Sequence, residues 1–480
     1  MIWKSIFRGL STFLFLMLFQ MMGNAQVTFS GDATIESYLS TKKDLPFWFY
    51  SNKRGRVNAA TTVSAWSHVT ANYEFSSNSN IEFGVGAMAQ DAGRHDNFDL
   101  DELYLKYDNK WLRAVVGIKQ HKELYDGLSG TNGNMLWSIN AKPLPGIELK
   151  IREPIYFLFN NHVGLSGSWG EFLMGDGPDR FVKNTRVHKK SLFLNYRSNT
   201  NFKLKLGIEH FAQWAGESPE DHIGEQPRTF KDYLRIVTGQ GGESNSYIGE
   251  QTNALGNHLG SYELRISKVI NNIYYEFMYS HIFEDGSGML YYNRPDGRYG
   301  LYIDLTDFTF NDKPWIQKFM YEFYYTKDQS HKRSPLIHKW DNYFNNGMYQ
   351  SGWTYKGDVI GMPFFTINQY GNDKKPSIGN NRIIVHHFGI LGTIIQKFPY
   401  KLLISYRNNN GHVRNLNDTE GEEFREDDPR GRFTMQHELV SALIDLSLLD
   451  SFIKLNVQIG ADLSSEDSNL GAGLRLSKQF

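Results

Sequence analysis

Along much of the chain, apolar and polar residues alternate one by one. Ile147, Leu149 and Ile151 alternate with Glu148, Lys150 and Arg152, and Phe202, Leu204, Leu206 and Ile208 with Lys203, Lys205, Gly207 and Glu209. The same period recurs over residues 262–267 and 453–462. The last segment is the most regular. Leu470, Ala472, Leu474, Leu476 and Phe480 share one face, and Asn469, Gly471, Gly473, Arg475, Ser477 and Gln479 the other, with Lys478 the one charged residue on the apolar side. Period two places successive side chains on opposite faces of a strand. Charges at every second position point to a hydrated interior, not a dry sandwich core. An isolated edge of this kind invites aggregation in water. In a transmembrane barrel the apolar face meets lipid and the polar face lines the lumen. A terminal strand closing on Phe480 also fits the signal that barrel-insertion machinery reads.

Two sizes of connection separate these segments. Residues 197–201, 271–272 and 464–468 read as hairpin turns, which face the periplasm in barrels, whereas residues 216–256, 327–349 and 408–432 read as long external loops. At about 25 residues per strand and connection, the mature chain supports roughly 16 to 18 strands. The fold class is therefore all-β, a transmembrane antiparallel barrel with small helical plug or loop elements. One helix is predicted inside the first long loop: Pro227 suits a first turn, Phe230, Tyr233, Leu234 and Val237 share a face, and Gly239 ends it. It either caps the lumen or packs on a loop. Residues 438–449 read equally as strand or helix, and residues 27–67 as a plug or as the first strands.

The N-terminus agrees with export. Lys4 and Arg8 precede an apolar stretch over residues 13–22, and Gly23, Asn24 and Ala25 supply a small-residue cleavage site. That stretch is too short to span about 30 Å of hydrocarbon. A signal peptide over 1–25 and a single barrel domain over 26–480 are the expected organisation. The chain has formal charge −1; losing Lys4 and Arg8 removes +2 and leaves −3, which is no footprint for nucleic acid. With Cys 0, disulfides and thiolate chemistry are excluded. Aromatics reach 15% while the mean hydropathy is −0.48. That combination suits a barrel, where aromatic belts sit at both interfaces and only alternate residues see lipid.

Several short motifs, in order and spread along most of the mature chain, give a more specific likeness. They are Leu45-Pro46-Phe47-Trp48, Gly167-Ser168-Trp169-Gly170, Val187-His188-Lys189-Lys190, Gly256-Asn257-His258-Leu259-Gly260-Ser261 and Phe283-Glu284-Asp285. Asp341-Asn342-Tyr343, Asn345-Asn346, Gly352-Trp353-Thr354-Tyr355-Lys356-Gly357, Gly379-Asn380-Asn381-Arg382 and His386-His387-Phe388-Gly389 follow. With these the chain resembles the capsule assembly Wzi family, in the form seen in Bacteroidetes-like sequences. The resemblance implies an 18-stranded outer-membrane barrel, helices closing its periplasmic side, loops narrowing the outside, and a lectin-like role in holding capsular polysaccharide. It implies no enzyme.

The candidate chemistry is correspondingly plain. His386 and His387 are adjacent on a strand and point to opposite faces, so they cannot chelate together. Glu284-Asp285-Gly286-Ser287-Gly288 reads as a solvated turn, with calcium as the alternative. No Gly-x-Ser-x-Gly elbow is present, and His188 and Ser191 fall on opposite faces. Sugars need aromatic platforms for their ring faces and Asn, Asp, Arg or His for their hydroxyls. The candidate polysaccharide-binding residues are Trp169, His188, Lys189, Asp341, Tyr343, Asn346, Arg382 and His386, and the loop residues 408–412 with Arg414 have the same character. Lys189, Lys190, Arg382 and Arg407 would suit an acidic glycan. The motif glycines read as sites of tight turns or close packing. No metal or cofactor is expected; the partners are surface polysaccharide, outer-membrane lipid and the insertion machinery. A diffusion or substrate-specific porin is the alternative reading, and an outer-membrane hydrolase a third.

Overall fold

In the computed structural model the alternating segments become the staves of a closed barrel. Residues 27–93, 97–175, 177, 180–308, 314–330, 340–368, 377–411 and 437–480 are described. The expected signal over 1–25, and most of the loop with His412 and Arg414, lie outside the described residues.

The staves are β1 (Val27–Ser40), β2 (Val63–Ser76), β3 (Ser79–Gln90), β4 (Phe98–Asp108), β5 (Leu112–Ile118) and β6, which runs in two pieces (Gly146–Ile151 and Ile155–Leu158). Then come β7 (Val163–Met174), β8 (Thr185–Arg197), β9 (Phe202–Trp214), β10 (Asn257–Ile270), β11 (Ile273–Phe283) and β12 (Gly297–Asp304). The circuit finishes with β13 (Lys318–Tyr325), β14 (Ile383–Ile394), β15 (Phe398–Asn409), β16 (His437–Asp450), β17 (Lys454–Leu463) and β18 (Ser468–Gln479). Both pieces of β6 pair with β7. Pro154 lies in the gap between them, where its missing N–H costs no ladder bond. Each strand pairs antiparallel with the next, and β1 closes on β18 with Ile35 opposite Leu476, giving 18 strands. The ambiguous residues 438–449 are strand, and residues 27–67 hold both a stave and part of a plug.

The two faces sort as the alternation requires. Leu192, Leu194, Leu206, Ile459 and Leu474 stand exposed on the outside. Inside, charges pair along the lumen wall: Arg113 with Asp108 at 2.7 Å, Lys189 with Glu148 at 2.6 Å and Arg475 with Asp445 at 2.7 Å. Lys478, the exception in the last strand, lays its ammonium over the Phe452 ring at 3.7 Å, so the stem stays apolar and the charge reaches the barrel edge. Both termini of the barrel lie at one end, with the turns at 77–78, 109–111, 198–201 and 271–272. The turn at 464–467 is at the opposite end, not with the other short ones. An even strand count puts the last connection at the far end whatever its length.

The far end carries the long connections, and three of them fold inward. From the β1–β2 connection comes α1 (Phe47–Tyr50). Residues 119–145 and 340–365 meet it on the barrel axis, with Trp48, Trp137, Trp353 and Phe364 in one buried apolar cluster. Phe47 stacks on Phe364 with centroids 5.7 Å apart, and the Trp353 indole donates to Leu136 O at 2.6 Å. Backbone polar groups in this irregular core find partners, as burial demands: Ser138 N donates to Ile360 O at 3.0 Å and Gly130 N to the Glu322 carboxylate at 2.7 Å. Gly389 of β14 lets the plug close on the wall, because a Cβ there would lie 2.5 Å from Leu128 O. Beneath the plug remains a cavity of about 520 Å³, lined by charged groups including Arg113, Lys119, Glu148 and Lys150. The lumen is thus plugged from the long-connection end. Among the described residues, no helix closes the short-turn end where the family resemblance implied helices; irregular segments do the closing from the other side.

Candidate functional site

Four of the eight predicted binding residues lie in one structured loop system over the plug. Tyr343 is fully buried and donates its hydroxyl proton to Asp296 Oδ2 at 2.7 Å, while Asn293 Nδ2 donates to the same hydroxyl at 2.7 Å. Asp296 also accepts from Asp328 N and Gln329 N, at 2.9 and 2.7 Å. Burial nevertheless raises its carboxyl to about 8, against the pull of those bonds. Asp341 accepts from Ser330 Oγ at 2.7 Å, and the Arg382 guanidinium donates to Lys327 O at 3.2 Å and lies 5.9 Å from the Trp340 ring. Asn346 turns its side-chain oxygen onto Met348 N and Tyr349 N, a turn of the kind Asn forms with its own backbone. These side chains hold the loop. Asn342, Asn345 and Gln350 reach its partly exposed surface.

Trp169 and His188 are elsewhere, on the outer face of the wall. Register places Glu171 opposite His188 and Trp169 opposite Lys190, all outward. His188 Nδ1 and Glu171 Oε1 are 2.5 Å apart. Beside them His210 Nε2 and His258 Nδ1 are 2.9 Å apart on β9 and β10. Such polar groups on a lipid-facing wall need a cover, and α2 (Phe230–Thr238) supplies it: the Tyr233 hydroxyl donates to Glu171 at 2.6 Å and accepts from the Trp169 indole at 3.2 Å. Lys190 spends its ammonium on Val237 O near the end of the same helix. The helix ends at Gly239 as its sequence predicts but starts later than expected, at Phe230, so that Pro227 lies before it and not in its first turn. Thr229 and Asp232 form a capping box, and Gly239 ends it at φ 66. Its buried face differs from the predicted one: Ile236 is the packed residue, against Ala212, Trp214 and Leu255, whereas Phe230 and Leu234 are exposed. The wall lies under the 233/236 side, which amphipathicity alone cannot distinguish from the adjoining 230/234 side. It caps the wall from outside rather than the lumen.

The remaining two stand apart again. Lys189 points inward to Glu148, with its ammonium 5.5 Å from the Trp137 ring. His386 faces outward in an aromatic belt, with Nδ1 2.9 Å from the Tyr321 hydroxyl, while His387 faces inward to Ser405 and to Leu128 O. The structure therefore distributes the eight over a loop scaffold, a covered patch on the wall, the lumen and the aromatic belt. Nor do the four cations suited to an acidic glycan form one patch, since Arg407 lies buried over the Phe47 ring at 3.9 Å. Asp285 does not pair with Glu284; it caps α3 (Gly286–Met289) by accepting from Ser287 N and Gly288 N, and Glu284 accepts from Phe344 N at 2.6 Å. Among the described residues no group of three or more His, Asp or Glu is placed to hold a metal ion.

Two functional features carried no sequence signal of their own. One is the share of residues 119–145 and 340–365 in the plug, since these segments lack any period. The other is the buried pair of Arg298 and Glu322, 3.4 Å apart and both without exposure, where Glu322 also accepts from Ser129 Oγ at 2.9 Å and from Tyr324 Oη at 2.7 Å. Glu322 ties the plug to the wall; alternation marks it only as one more inward residue of β13.

The sequence profile of the capsule assembly protein Wzi family matches residues 20–370. No curated protein matches the chain. Among solved structures, Wzi of Escherichia coli, a carbohydrate-binding β-barrel of the outer membrane involved in group 1 capsule assembly, is 12% identical, with a TM-score of 0.55 over 92% of this chain and 83% of that one. At that identity the likeness concerns the fold. An anion-selective porin from Comamonas acidovorans covers 95% of this chain and all of its own (100%) at 7% identity, but its TM-score of 0.40 is too low to bear on the argument. The closed barrel with an apolar outer wall and the profile spanning most of the sequence agree: this chain is an outer-membrane β-barrel and belongs to the capsule assembly protein Wzi family.

Proposed function

We propose that this barrel binds surface polysaccharide and assists the assembly or attachment of a capsule or exopolysaccharide. The family match over residues 20–370 carries that reading, and the plugged lumen favours it over a porin. A core built on Trp48, Trp137, Trp353 and Phe364 occupies the axis where a diffusion pore needs water. By the usual orientation of such barrels the long connections face outward. The glycan then meets the loop surface over the plug, around the half-buried Asn342, Asn345 and Gln350, whose amides bond to Asn381, Ile378 and Glu220 within the loop, on the frame that Asp341, Tyr343, Asn346 and Arg382 hold in place. Trp169, His188, Lys189 and His386 support the wall and plug. The role is one of binding without catalysis. Export uses the segment over residues 1–25, and insertion uses the strand ending in Phe480.

The test is the partition of polysaccharide between cells and medium in a deletion strain. Glycan that is made but shed, and retained again when the wild-type chain is restored, is the expected result. Retention unchanged by the deletion would contradict the reading. Restoring the chain with Asn342→Ala, Asn345→Ala and Gln350→Ala together should leave the barrel folded and the glycan still shed.

A further inference from the structure

Two long connections fold outward instead of inward, and they leave apolar faces uncovered. In α2, at about 100° per residue, Ile236, Tyr233, Val237, Phe230 and Leu234 form one continuous apolar arc, with Thr238, Lys231 and Arg235 opposite. Only half of that arc meets protein. Ile236 is fully buried and Tyr233 lies on the Trp214 ring at 5.3 Å, whereas Phe230 is 75% and Leu234 48% exposed. On the other side Lys231, 68% exposed, pairs with Glu243 in the open. The neighbouring β11–β12 connection behaves alike. Tyr291 stacks on the outward rings of His281 and Tyr262, with centroids 4.4 and 5.4 Å away, and His281 Nε2 meets Gly288 O at 2.9 Å. Its apex, Leu290, is left 68% exposed.

We propose that this sector is a membrane-interface collar: Phe230 and Leu234 of α2, with Leu290 of the next connection, are seated among the acyl chains of the outer leaflet. Continuity with the wall points to lipid. Both connections rest on outward wall residues, Trp169, Trp214, Tyr262 and His281, at the height where tyrosines and tryptophans ring a barrel, and the wall below them is already the lipid-facing surface. A helix whose apolar arc exceeds its protein contact, with a cationic opposite edge, lies in such a boundary with its apolar side down. The collar also accounts for the histidines. His188, His210, His258 and His281 sit on a wall facing lipid, and the two connections shield them from it. This inference is independent of the glycan reading.

The chain has no cysteine, so single cysteines can be placed cleanly. Phe230→Cys, Leu290→Cys and, as the reference on the polar edge, Lys231→Cys are each labelled with bimane in phosphatidylcholine vesicles. Heat-modifiable gel mobility confirms that each variant is folded. The probes at 230 and 290 are expected to be blue-shifted, and quenched several-fold more by lipid-borne doxyl groups than the probe at 231, which iodide in the water should quench instead. Probes at 230 and 290 that iodide reaches as readily as at 231 would overturn the proposal. So would protection from both quenchers at every protein-to-lipid ratio, or protection lost on dilution into excess lipid, because the face would then be covered by protein.

Discussion

The connection after β5 and the connection after β9 leave the same end of the same wall, yet they fold in opposite directions. Residues 119–145 turn inward and bury Leu128, Met135, Leu136 and Trp137 in the plug. Residues 215–256 turn outward and lay α2 on the lipid side of the wall. The strands they meet explain the difference. Inward of β13 and β14 the plug finds Glu322 and His387, fixed acceptors and donors for its irregular backbone and side chains. Outward of β7 to β10 lie polar side chains that cannot be left to lipid, and α2 satisfies its own backbone internally, as any segment at that level must. An irregular chain fills the lumen, whereas the segment laid on the outer wall of β7 to β10 is helical.

Substitutions inside the barrel should cost the most. Trp353→Ala removes a fully buried indole that the plug is packed around, a loss of about 3–5 kcal/mol; protease cleavage within residues 340–365 should rise while the β-barrel signal in circular dichroism persists. Glu322→Ala leaves Arg298 buried with Glu263, at 3.9 Å, as its remaining ion-pair partner, and strands Gly130 N. A cost of about 3 kcal/mol, read as a lower unfolding temperature on heat-modifiable gels, is expected, with Glu322→Gln losing less. The loop scaffold should respond to pH. Asp296 is protonated more readily folded than unfolded, so its contribution is complete below the unfolded carboxylate value and is lost as pH rises through about 8. Amide exchange at Asp328 and Gln329, corrected for its intrinsic pH dependence, should therefore speed up between pH 6 and 9. That range runs from about two units below the raised value to about one unit above it.

Effects outside should be smaller and local. Thr229→Ala removes the cap of α2 at about 1 kcal/mol, and hydrogen exchange should quicken over residues 230–238 while the wall stays protected. Phe230→Ser touches an exposed ring and should change stability in detergent by no more than about 0.5 kcal/mol. If the plug variants loosened α2, or the cap variant loosened the plug, the two regions would be one cooperative unit and the contrast between them would fail.

The wall was legible because period two is a direct consequence of strand geometry, and it assigned faces even at the difficult residue, Lys478. The helix over 230–238 was legible through its apolar spacing and Gly239, whereas its start lies at the Thr229–Asp232 cap and not at Pro227. Its docking face was not, because choosing between Ile236 and Leu234 depends on where the wall lies. The plug was only half legible, for the same reason in stronger form: residues 27–67 read as plug or strand and are both, but nothing local says that Leu45-Pro46-Phe47-Trp48 and Gly352-Trp353, some 300 residues apart, meet on an axis. The binding residues fared similarly. Asp341, Tyr343 and Arg382 have side chains suited to sugars, and only the fold reveals that their polar atoms already hold Ser330, Asp296 and the Lys327 carbonyl.

Single-channel recording of the purified protein in planar bilayers tests the central claim, a barrel closed by its own core and used for binding. The wild-type chain is predicted to insert without stable open steps, and Trp353→Ala to produce them. Stable, long-lived open steps from the wild-type chain would contradict the plugged barrel and restore the porin reading.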